Sequence, residues 1–444
     1  MKYLVLFVSF ALTQSAFVCA QDSLSPVAVQ ASNSQADAVQ QQLKELQERI
    51  VALEGQVRML KAQAAPTTTA ATTPSAEPPT TAPSVPPPVG AQTSGEATPT
   101  GPTPTYGGAL GLAKALNPDI SMIGDFLGSI GGNSPPPASS QTPFRSLEMH
   151  ESELGIQAVI DPYARGDLFL TLGEEGVGLE EGYITFTALP AGFVGRVGKM
   201  RAAFGKVNTM HNHVLPWTDR PLVTDSLVGG EDGIDDAGIS VTRTLPAPKG
   251  LFLEGTAQLF RGDSGNAEHP LFTSQRKSDV STVAHLRGYK DLSESTNLDL
   301  GVSFARGHND VGSDTTTKLY GLDATLRWKP LRRSIYHSFV GRSEFVWSQR
   351  EQLSPSVLHA FGYYASGDYQ LGRRWFIGSR YDSSGRATLA RADHGTSAIL
   401  TYWPSEFSQL RWQYRSTRFA EGRNANELLM QVQFVLGAHG AHAF

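Results

Sequence analysis

From residue 118 onward the sequence predicts an all-β transmembrane barrel of about sixteen antiparallel strands. Three observations predict it: polar and apolar residues alternate over runs of 8 to 11 positions, aromatic residues stand near the ends of the apolar faces, and short connections alternate with long ones. Such strands are longer than the five or six residues usual in globular proteins. A short α-helical coiled coil and a Pro/Thr-rich linker are predicted to precede the barrel.

Residues 1–20 are predicted to be a secretory signal peptide. Lys2 is followed by an apolar run and then by small residues, and cleavage after Ala20 would use Val18 and Ala20 as the recognition positions. A lipoprotein anchor at Cys19 is disfavoured, because Val18 is a poor match for the small residue required there. Cys19 is the single cysteine, so the mature chain is predicted to hold neither disulfides nor thiolate metal sites.

Residues 33–64 are predicted to form a periplasmic coiled coil. An apolar seam only two positions wide in seven favours self-association over packing against a globular domain. The seam does not fix the number of helices, so dimer and trimer stay open. Its a positions are Ala36, Leu43, Ile50, Val57 and Ala64, and its d positions are Val39, Leu46, Leu53 and Leu60.

Residues 65–117 are predicted to be an extended linker. Thr, Pro and Ala dominate this segment, and large apolar side chains are scarce until its last residues. Such a composition does not bury enough surface to fold, and its prolines keep it extended. The linker would tether the coiled coil to a barrel over residues 118–444.

The alternation in the barrel segment separates two faces. In residues 319–329 one face carries Tyr320, Leu322, Ala324, Leu326 and Trp328, and the other is polar or Gly. Residues 409–415 repeat the pattern. A soluble sandwich also alternates, but the aromatic residues near strand ends resemble the interfacial girdle of a membrane barrel. The girdle candidates are Trp328, Trp347, Trp375, Tyr402 and Trp403.

The spacing of the connections predicts the strand number. The short connections are 161–164, 190–192, 246–250, 292–295, 330–334, 370–374 and 404–407. The longer ones are 129–146, 173–178, 206–235, 262–278, 307–316, 349–355, 383–394 and 419–426. Seven short turns between eight loops imply sixteen strands, with both ends of the barrel on the short-turn, periplasmic side. Two points stay open: residues 119–128 are either the first strand or a plug or linker, and the last strand stops near Gly437 or continues toward Phe444.

A barrel of sixteen strands is wide enough for an aqueous lumen. Residues 300–444 hold 17 Lys and Arg against 11 Asp and Glu, a surplus of six in a protein of net charge -5. Asp323, Glu344 and Asp382 are predicted to oppose the inward basic residues. The alternative is that the arginines pair with acids or lie at the headgroups. By parity the inward basic residues are Arg327, Lys329, Arg342, Arg374, Arg380, Arg411 and Arg415.

The longest predicted loop, 206–235, carries too many apolar residues for a surface loop, and a loop of this size is usually functional. Folding it into the barrel would narrow the pore. Its His211 and His213 stand near acids, but one His-x-His is weak evidence, so solvated histidines are favoured over a metal site. The acids in question are Glu231, Asp232, Asp235 and Asp236.

The segment "RVGKMRAAFGKVN" at 196–208 resembles an element of the phosphate-selective porin family, a group of sixteen-stranded trimeric porins. Gly198, Lys199, Arg201, Phe204 and Gly205 match the family pattern, whereas Met200 and Ala203 depart from it. A coiled coil ahead of the barrel is similar to a stalked branch of that family. The resemblance implies a homotrimer with Lys199 and Arg201 on a basic pore wall; it leaves the solute open.

The function expected from these features is passive diffusion of small hydrophilic solutes, anionic or neutral, through an anion-preferring outer-membrane porin. The partners expected are outer-membrane lipid and further copies of this chain, with no nucleic acid and no cofactor. The alternative is a structural anchor that links envelope layers through its coiled coil. An enzyme is not expected, because no Ser, His and acid stand in a recognisable catalytic spacing.

Overall fold

The computed structural model of the protein describes residues 118–132, 146–173, 176–265, 270–353, 356–387 and 389–437. The predicted signal peptide, coiled coil and linker (1–20, 33–64 and 65–117) lie outside these described residues. Within the part of the chain that the structure describes, no helix has the length and apolar character needed to cross a membrane.

Sixteen antiparallel strands close into a barrel in which sequence neighbours pair throughout. The predicted fold class and strand number are therefore confirmed. The strands are β1 Asp119–Gly131, β2 Leu147–Asp161, β3 Ala164–Gly173, β4 Gly176–Leu189, β5 Phe193–Arg201, β6 Asp235–Leu245, β7 Leu251–Phe260, β8 Ser281–Ser293, β9 Thr296–His308, β10 Thr316–Trp328, β11 Phe339–Glu351, β12 Val357–Gln370, β13 Trp375–Arg386, β14 Leu389–Ser405, β15 Ser408–Arg418 and β16 Asn424–Gly437.

The first and last strands close the barrel. β1 pairs with β16 from Ser121 opposite Gly437 to Gly131 opposite Glu427, so residues 119–128 belong to a barrel strand and not to a plug. β16 ends at Gly437, and the remaining residues up to Phe444 lie outside the described part of the chain. Because both edges are paired, no backbone of these two strands is left to meet lipid unsatisfied.

The alternation along each strand separates a polar inner wall from an apolar outer wall. On β15, Arg411, Gln413 and Arg415 are buried inside the barrel, whereas Tyr414 on the other face is half exposed. Aromatic residues on the outer wall also touch across strands, as Trp375 and Tyr402 do with ring centroids 4.5 Å apart. An apolar outside around a polar inside is the arrangement of a membrane barrel, the inverse of a soluble protein.

Two predicted loops are shorter than expected. The connection predicted at 383–394 comprises only 387–388, because β13 and β14 extend and pair as far as Arg386 opposite Leu389. Arg386 forms an ion pair with Asp393 at 2.7 Å inside the barrel wall. The inward side chains at these strand ends are polar, so their sequence resembles that of a loop. The predicted loop at 173–178 likewise reduces to 174–175, and the predicted turn at 330–334 lengthens to 329–338.

Helical structure occurs in connections between strands. 3₁₀ turns cover Pro190–Gly192, Val207–Thr209 and Asn212–Val214, and the α-helix α1 covers Leu222–Leu227. All but the first lie between β5 and β6. That connection therefore has internal structure, which is unusual for a surface loop and typical of a loop with its own packing.

Candidate functional site: a constriction loop in the lumen

The connection between β5 and β6 runs into the barrel interior. It comprises residues 202–234, which we call the constriction loop. Val207, Leu215, Trp217 and Leu227 on this loop are each at most 2% exposed and belong to one apolar core with inward side chains of the strands. The sequence left open whether the loop at 206–235 folds inward; in the structure it does, and it fills lumen space that water would otherwise occupy.

Both ends of the constriction loop depend on glycine. Gly205 has φ +60° and Gly233 has φ +67°, a backbone region that side chains with a Cβ rarely adopt. A Cβ at Gly205 would lie 2.7 Å from Oε2 of Glu344, and one at Gly233 would lie 2.1 Å from Oδ1 of Asn208. The loop therefore enters and leaves the wall through two turns that no larger residue fits.

The first turn of the loop is bonded to β9 and β11. The backbone N–H of Gly205 donates to Oγ of Ser303 at 2.9 Å. Oε1 of Glu344 accepts the backbone N–H groups of Lys206 and Val207, each at 2.7 Å. A buried carboxylate that accepts two N–H groups compensates its lost hydration and fixes the backbone that it caps.

Asp219 anchors the middle of the loop to β13 and β15. Its carboxylate accepts hydrogen bonds from Arg380 Nη2 at 2.9 and 3.0 Å, from Arg415 Nη1 at 2.8 Å and from Gln413 Nε2 at 2.5 Å. Burial alone would raise the pKa of Asp219, but the charges of Arg380 and Arg415 outweigh burial and hold it below its ordinary value. Asp219 is therefore a charged residue at the centre of a buried network.

Trp217 packs beside this network. Its ring meets Tyr364 edge to face with centroids 5.1 Å apart, and the guanidinium of Arg380 lies 5.0 Å from the Trp217 centroid. The backbone carbonyl of Trp217 accepts a hydrogen bond from Arg411 Nη1 at 3.0 Å, and the same nitrogen donates to Gln431 at 2.7 Å. An aromatic ring and a cation at this distance attract each other, more so where water is excluded.

The loop meets the opposite wall through His211. Its Nδ1 lies 2.5 Å from Oε2 of Glu153 on β2, and its Nε2 lies 2.9 Å from Oε2 of Glu181 on β4. The ring also contacts Phe169 on β3, with centroids 5.1 Å apart. Burial would lower the pKa of His211, but the carboxylates around it, Glu180 first, outweigh burial and raise it well above 6.5.

His211 belongs to a larger group of ionisable side chains, which we call the histidine–glutamate cluster. His150 Nε2 lies 3.1 Å from Glu231 Oε1, and Asn212 Nδ2 donates to both Glu151 and Glu231. Glu231 is half exposed, so the cluster reaches water. The members are His150, Glu151, Glu153, Glu180, Glu181, His211, His213 and Glu231.

These contacts show that the loop crosses the lumen. Lys206 and Val207 bond to β11, whereas His211, four residues further on, bonds to β2 and β4. In a closed ring of sixteen strands, β11 and β3 face each other. The sequence interpretation of His211 and His213 as solvated is wrong: their side chains are only 12% and 6% exposed, because they lie against the wall rather than outside it.

Five of the basic residues predicted to line the pore face inward. Arg380, Arg411 and Arg415 contact the constriction loop as described above. Arg342 pairs with Asp368 at 2.6 Å, and Arg327 lies 3.7 Å from an oxygen of Asp299. Among the residues that the structure describes, Arg411 has no carboxylate within 4.0 Å and bonds to neutral groups only. The three acids predicted to face inward do so, and they are Asp323, Glu344 and Asp382.

Of the other four predicted residues, Arg201 contacts the histidine–glutamate cluster of the lumen and three lie elsewhere. Lys199 shares the outward register of Val197 and forms an ion pair with Asp235 at 2.7 Å. The prediction that Lys199 lines the pore wall is therefore wrong. Arg201 ends β5 and donates to Glu180 at 2.6 Å. Lys329 and Arg374 lie in the short connections 329–338 and 371–374, where the inside–outside alternation of a strand does not apply.

The acids of β2 and β4 were not predicted from the sequence. Glu151 and Glu153 stand two positions apart in "ESELGIQ", a spacing that places both on one face of a strand, and this was the available signal. Glu180 and Glu181 are adjacent, and both are buried because the register shifts here: Phe169 on β3 pairs with Glu181 and Leu170 pairs with Leu179, which leaves Glu180 as an extra residue. A bulge of this kind cannot be read from alternation, since it breaks the alternation.

Asp225 on α1 makes the seated loop sensitive to pH. Burial, followed by the charge of Glu231, raises its pKa to about 7, so the folded state keeps a proton that the unfolded state loses near its ordinary value of 3.8. The contribution of Asp225 to stability is therefore largest at acid pH and is lost as pH rises from about 4 through 7. Over this pH range we expect the free energy of unfolding of Asp225→Asn to fall by about 1–3 kcal/mol less than that of the wild type.

The measurement is the midpoint of chemical unfolding of the purified barrel at about pH 5 and about pH 9. Asp225→Asn should show a smaller difference between the two pH values than the wild type. Asp314→Asn is the control, because the Asp314 side chain is 83% exposed and its surface ion pair contributes little. Equal pH dependence in wild type and Asp225→Asn would show that Asp225 is not the responsible group.

Fold and lumen together define the class: the chain is a sixteen-stranded transmembrane β-barrel with a polar interior and with residues 202–234 folded inside it. No family model matches the sequence. A protein of Aquifex aeolicus, described only as uncharacterized, is 28% identical over 74% of this chain and 81% of its own length.

Solved outer-membrane proteins have similar folds. The anion-selective porin of Comamonas acidovorans is 10% identical, with 72% of this chain and 99% of that chain covered at a TM-score of 0.49. The channel DcaP of Acinetobacter baumannii is 13% identical, with 72% and 96% covered at 0.48. The trimer form of OmpT from Vibrio cholerae is 8% identical, with 72% and 99% covered at 0.48.

Proposed function

We propose that the protein is an outer-membrane porin through which small hydrophilic solutes diffuse, with the constriction loop setting the width of the path. The observation that carries the proposal is the inner wall: the inward positions of its strands are dominated by polar and charged side chains, while the outer wall is apolar. Polar side chains inside a membrane barrel are stable only where water or a plug hydrogen-bonds to them. Polar side chains at both faces of the loop fit a wet lumen.

A preference for anions is the finer part of the proposal. Arg342, Arg380, Arg411 and Arg415 share one arc of the wall, on β11, β13 and β15. Arg411 supports the preference most directly, because its hydrogen bonds go to neutral oxygens and it forms no ion pair among the described residues. A cation of this kind in a narrow lumen attracts anions and repels cations.

The test is the ion conductance of the purified full chain in a planar bilayer under a salt gradient. A steady conductance with a reversal potential that favours chloride supports an anion-preferring channel. A steady conductance with a reversal potential that favours potassium overturns the anion preference but still supports a channel. Absence of conductance from a barrel that is folded by circular dichroism and heat-modifiable mobility overturns the channel itself.

Arg411→Gln is the variant that probes selectivity. We expect the reversal potential to move toward the value for potassium, because one positive charge leaves the lumen. Arg306→Gln is the matched control, since Arg306 is exposed in the outward register of β9. An unchanged reversal potential in Arg411→Gln would count against Arg411 as a selectivity residue, and an equal change in the control would assign the effect to surface charge.

A structural anchor is the second candidate, and one observation favours it. The constriction loop spans the lumen from β11 to β2 and β4 and carries an apolar core, as a loop that fills the barrel would. In that case the barrel would hold the N-terminal segment at the membrane without conducting. The conductance measurement separates the two functions.

Trimer formation through the N-terminal heptads is the remaining part of the proposal. Both ends of the barrel lie on the side of its short turns, so residues 33–64 would stand in the periplasm and a homotrimeric coiled coil there would join three barrels. Its support is the repeat of apolar residues at a and d positions. The barrel walls add apolar surface that further copies of the chain can share.

A charge in the heptad seam should break the assembly. We expect Leu53→Asp, at a d position, to shift the detergent-corrected mass from that of a trimer toward a monomer, because a buried carboxylate cannot be hydrated in the seam. Gln41→Asp adds the same group at an outward f position and should leave the mass unchanged. The measurement is light scattering with refractive-index detection. A trimer that persists in Leu53→Asp would place the assembly contacts in the barrel walls instead.

A further inference from the structure

The histidine–glutamate cluster brings metal-binding atoms together beside the constriction loop. Nδ1 of His211 and Nδ1 of His213 lie 2.5 and 3.4 Å from the same atom, Oε2 of Glu153. The donor atoms of these three residues all lie within 4.8 Å of one another. The two imidazole rings are held 5.7 Å apart at 64°, so their edges converge on the carboxylate instead of stacking.

A second observation points to a ligand at this place. Oε2 of Glu180 is buried and has no hydrogen-bond partner among the described residues, and the side chain is only 6% exposed. The nearest donor is Nδ1 of His211 at 3.3 Å, which already lies closer to Glu153. A buried carboxylate oxygen without a donor is costly unless a cation completes it.

The charge of the cluster agrees with a cation. It contains five glutamates, and the arginines nearest to them are Arg201, which donates to Glu180, and Arg220, which bonds to Asn212 and to loop carbonyls. Two guanidinium groups do not offset five carboxylates, so the remaining negative charge must be neutralised by protons on the imidazoles or carboxyls or by a bound ion. One bound divalent ion supplies the same positive charge as two protonated imidazoles.

We propose that Glu153, His211 and His213 form a binding site for a divalent transition-metal ion of the Zn²⁺ class, with Glu180 beside it as a further carboxylate ligand. Imidazole nitrogen combined with carboxylate oxygen is a donor set that Zn²⁺ accepts and that Mg²⁺ and Ca²⁺, which favour oxygen alone, do not. The half-exposed Glu231 gives the ion a path from water into the cluster.

The ligands come from separate elements, so the ion would tie them together. Glu153 lies on β2, Glu180 lies on β4, and both histidines lie on the constriction loop. A bound ion would hold the loop against that side of the wall, opposite the Glu344 cap and away from the Asp219 anchor. The site does not depend on whether the barrel conducts, so the metal-binding test is independent of the proposed porin function.

The test is titration of the full chain with Zn²⁺, purified in detergent without a histidine tag and stripped with chelator. We expect one tightly bound Zn²⁺ per chain by calorimetry and by metal analysis after dialysis. His213→Gln and Glu153→Gln should each weaken binding at least about tenfold, since loss of a ligand exceeds the loss seen when only an outer contact is removed. His359→Gln is the matched control, because His359 is exposed on β12.

Cobalt gives a readout that needs no variant. Co²⁺ added to the stripped wild-type protein should develop visible absorption bands of a low-coordinate nitrogen–oxygen site, and Zn²⁺ should abolish them while excess Mg²⁺ should not. The proposal is overturned if the wild type binds no Zn²⁺, if Mg²⁺ displaces Zn²⁺, or if folded His213→Gln and Glu153→Gln both bind Zn²⁺ as the wild type does. If neither variant folds, the cobalt spectrum of the wild type decides.

Discussion

Asp219→Ala is expected to release the middle of the constriction loop and to raise the single-channel conductance above that of the wild type. The substitution removes the acceptor for Arg380, Arg415 and Gln413 at once and leaves two buried guanidinium groups without their shared carboxylate. Breaking a buried pair in this way costs about 3–5 kcal/mol. The least costly response is for the loop to move away and admit water to the arginines.

The same variant carries a second readout. Arg380 keeps its ion pair with Asp382 and Arg415 keeps its ion pair with Glu427, but the lumen loses one negative charge, so the reversal potential should move further toward that of chloride. Asp314→Ala, which removes an exposed acid from the loop between β9 and β10, is the control and should change neither quantity. If Asp219→Ala kept both the conductance and the selectivity of the wild type, Asp219 would not be the anchor of the loop.

Trp217→Ala is expected to release the constriction loop from the wall because it removes apolar packing, whereas Asp219→Ala removes a charge. Trp217 is fully buried between Tyr364 and Arg380, and truncating a buried tryptophan costs about 3–5 kcal/mol. We expect a larger and noisier conductance, and faster cleavage within residues 202–234 by an added protease. The barrel itself should stay folded, because Trp217 contributes nothing to the pairing of the strands.

Trp217→Phe is the control that separates shape from hydrogen bonding. The indole Nε1–H of Trp217 is buried without a partner among the described residues, so replacing the indole by a phenyl ring removes an unsatisfied donor and keeps most of the apolar contact. Its conductance should match that of the wild type. A Trp217→Phe variant as disturbed as Trp217→Ala would mean that a phenyl ring does not supply the packing that holds the loop.

The strands could be predicted because each one reports its own environment. In "QLRWQYR" the apolar residues are set by the lipid outside and the polar ones by the lumen inside, so the period of two is visible without any knowledge of the partner strands. The same rule located Arg327, Arg342, Arg380, Arg411 and Arg415 on the inner wall. Lys199 was assigned by resemblance to a motif and not by this rule, and it lies in the outward register.

The loop boundaries failed for a related reason. Around Arg386 and Asp393 the inward residues are charged and the outward ones are small, so no apolar period marks the strands that pair there. Their ion pair satisfies both side chains inside the wall. Pairing between strands, which the sequence does not display, keeps such a segment extended.

The class of fold, the number of strands and the side of the wall on which most residues lie could be predicted from the sequence, because these depend on local alternation between lipid and lumen. Three features could be seen only in the folded barrel: residues 202–234 cross the lumen, Asp219 meets arginines 161 and 196 positions later, and His211 and His213 converge with Glu153. Those contacts join residues far apart in the chain, and their geometry arises only when the closed barrel brings opposite strands within reach of one loop.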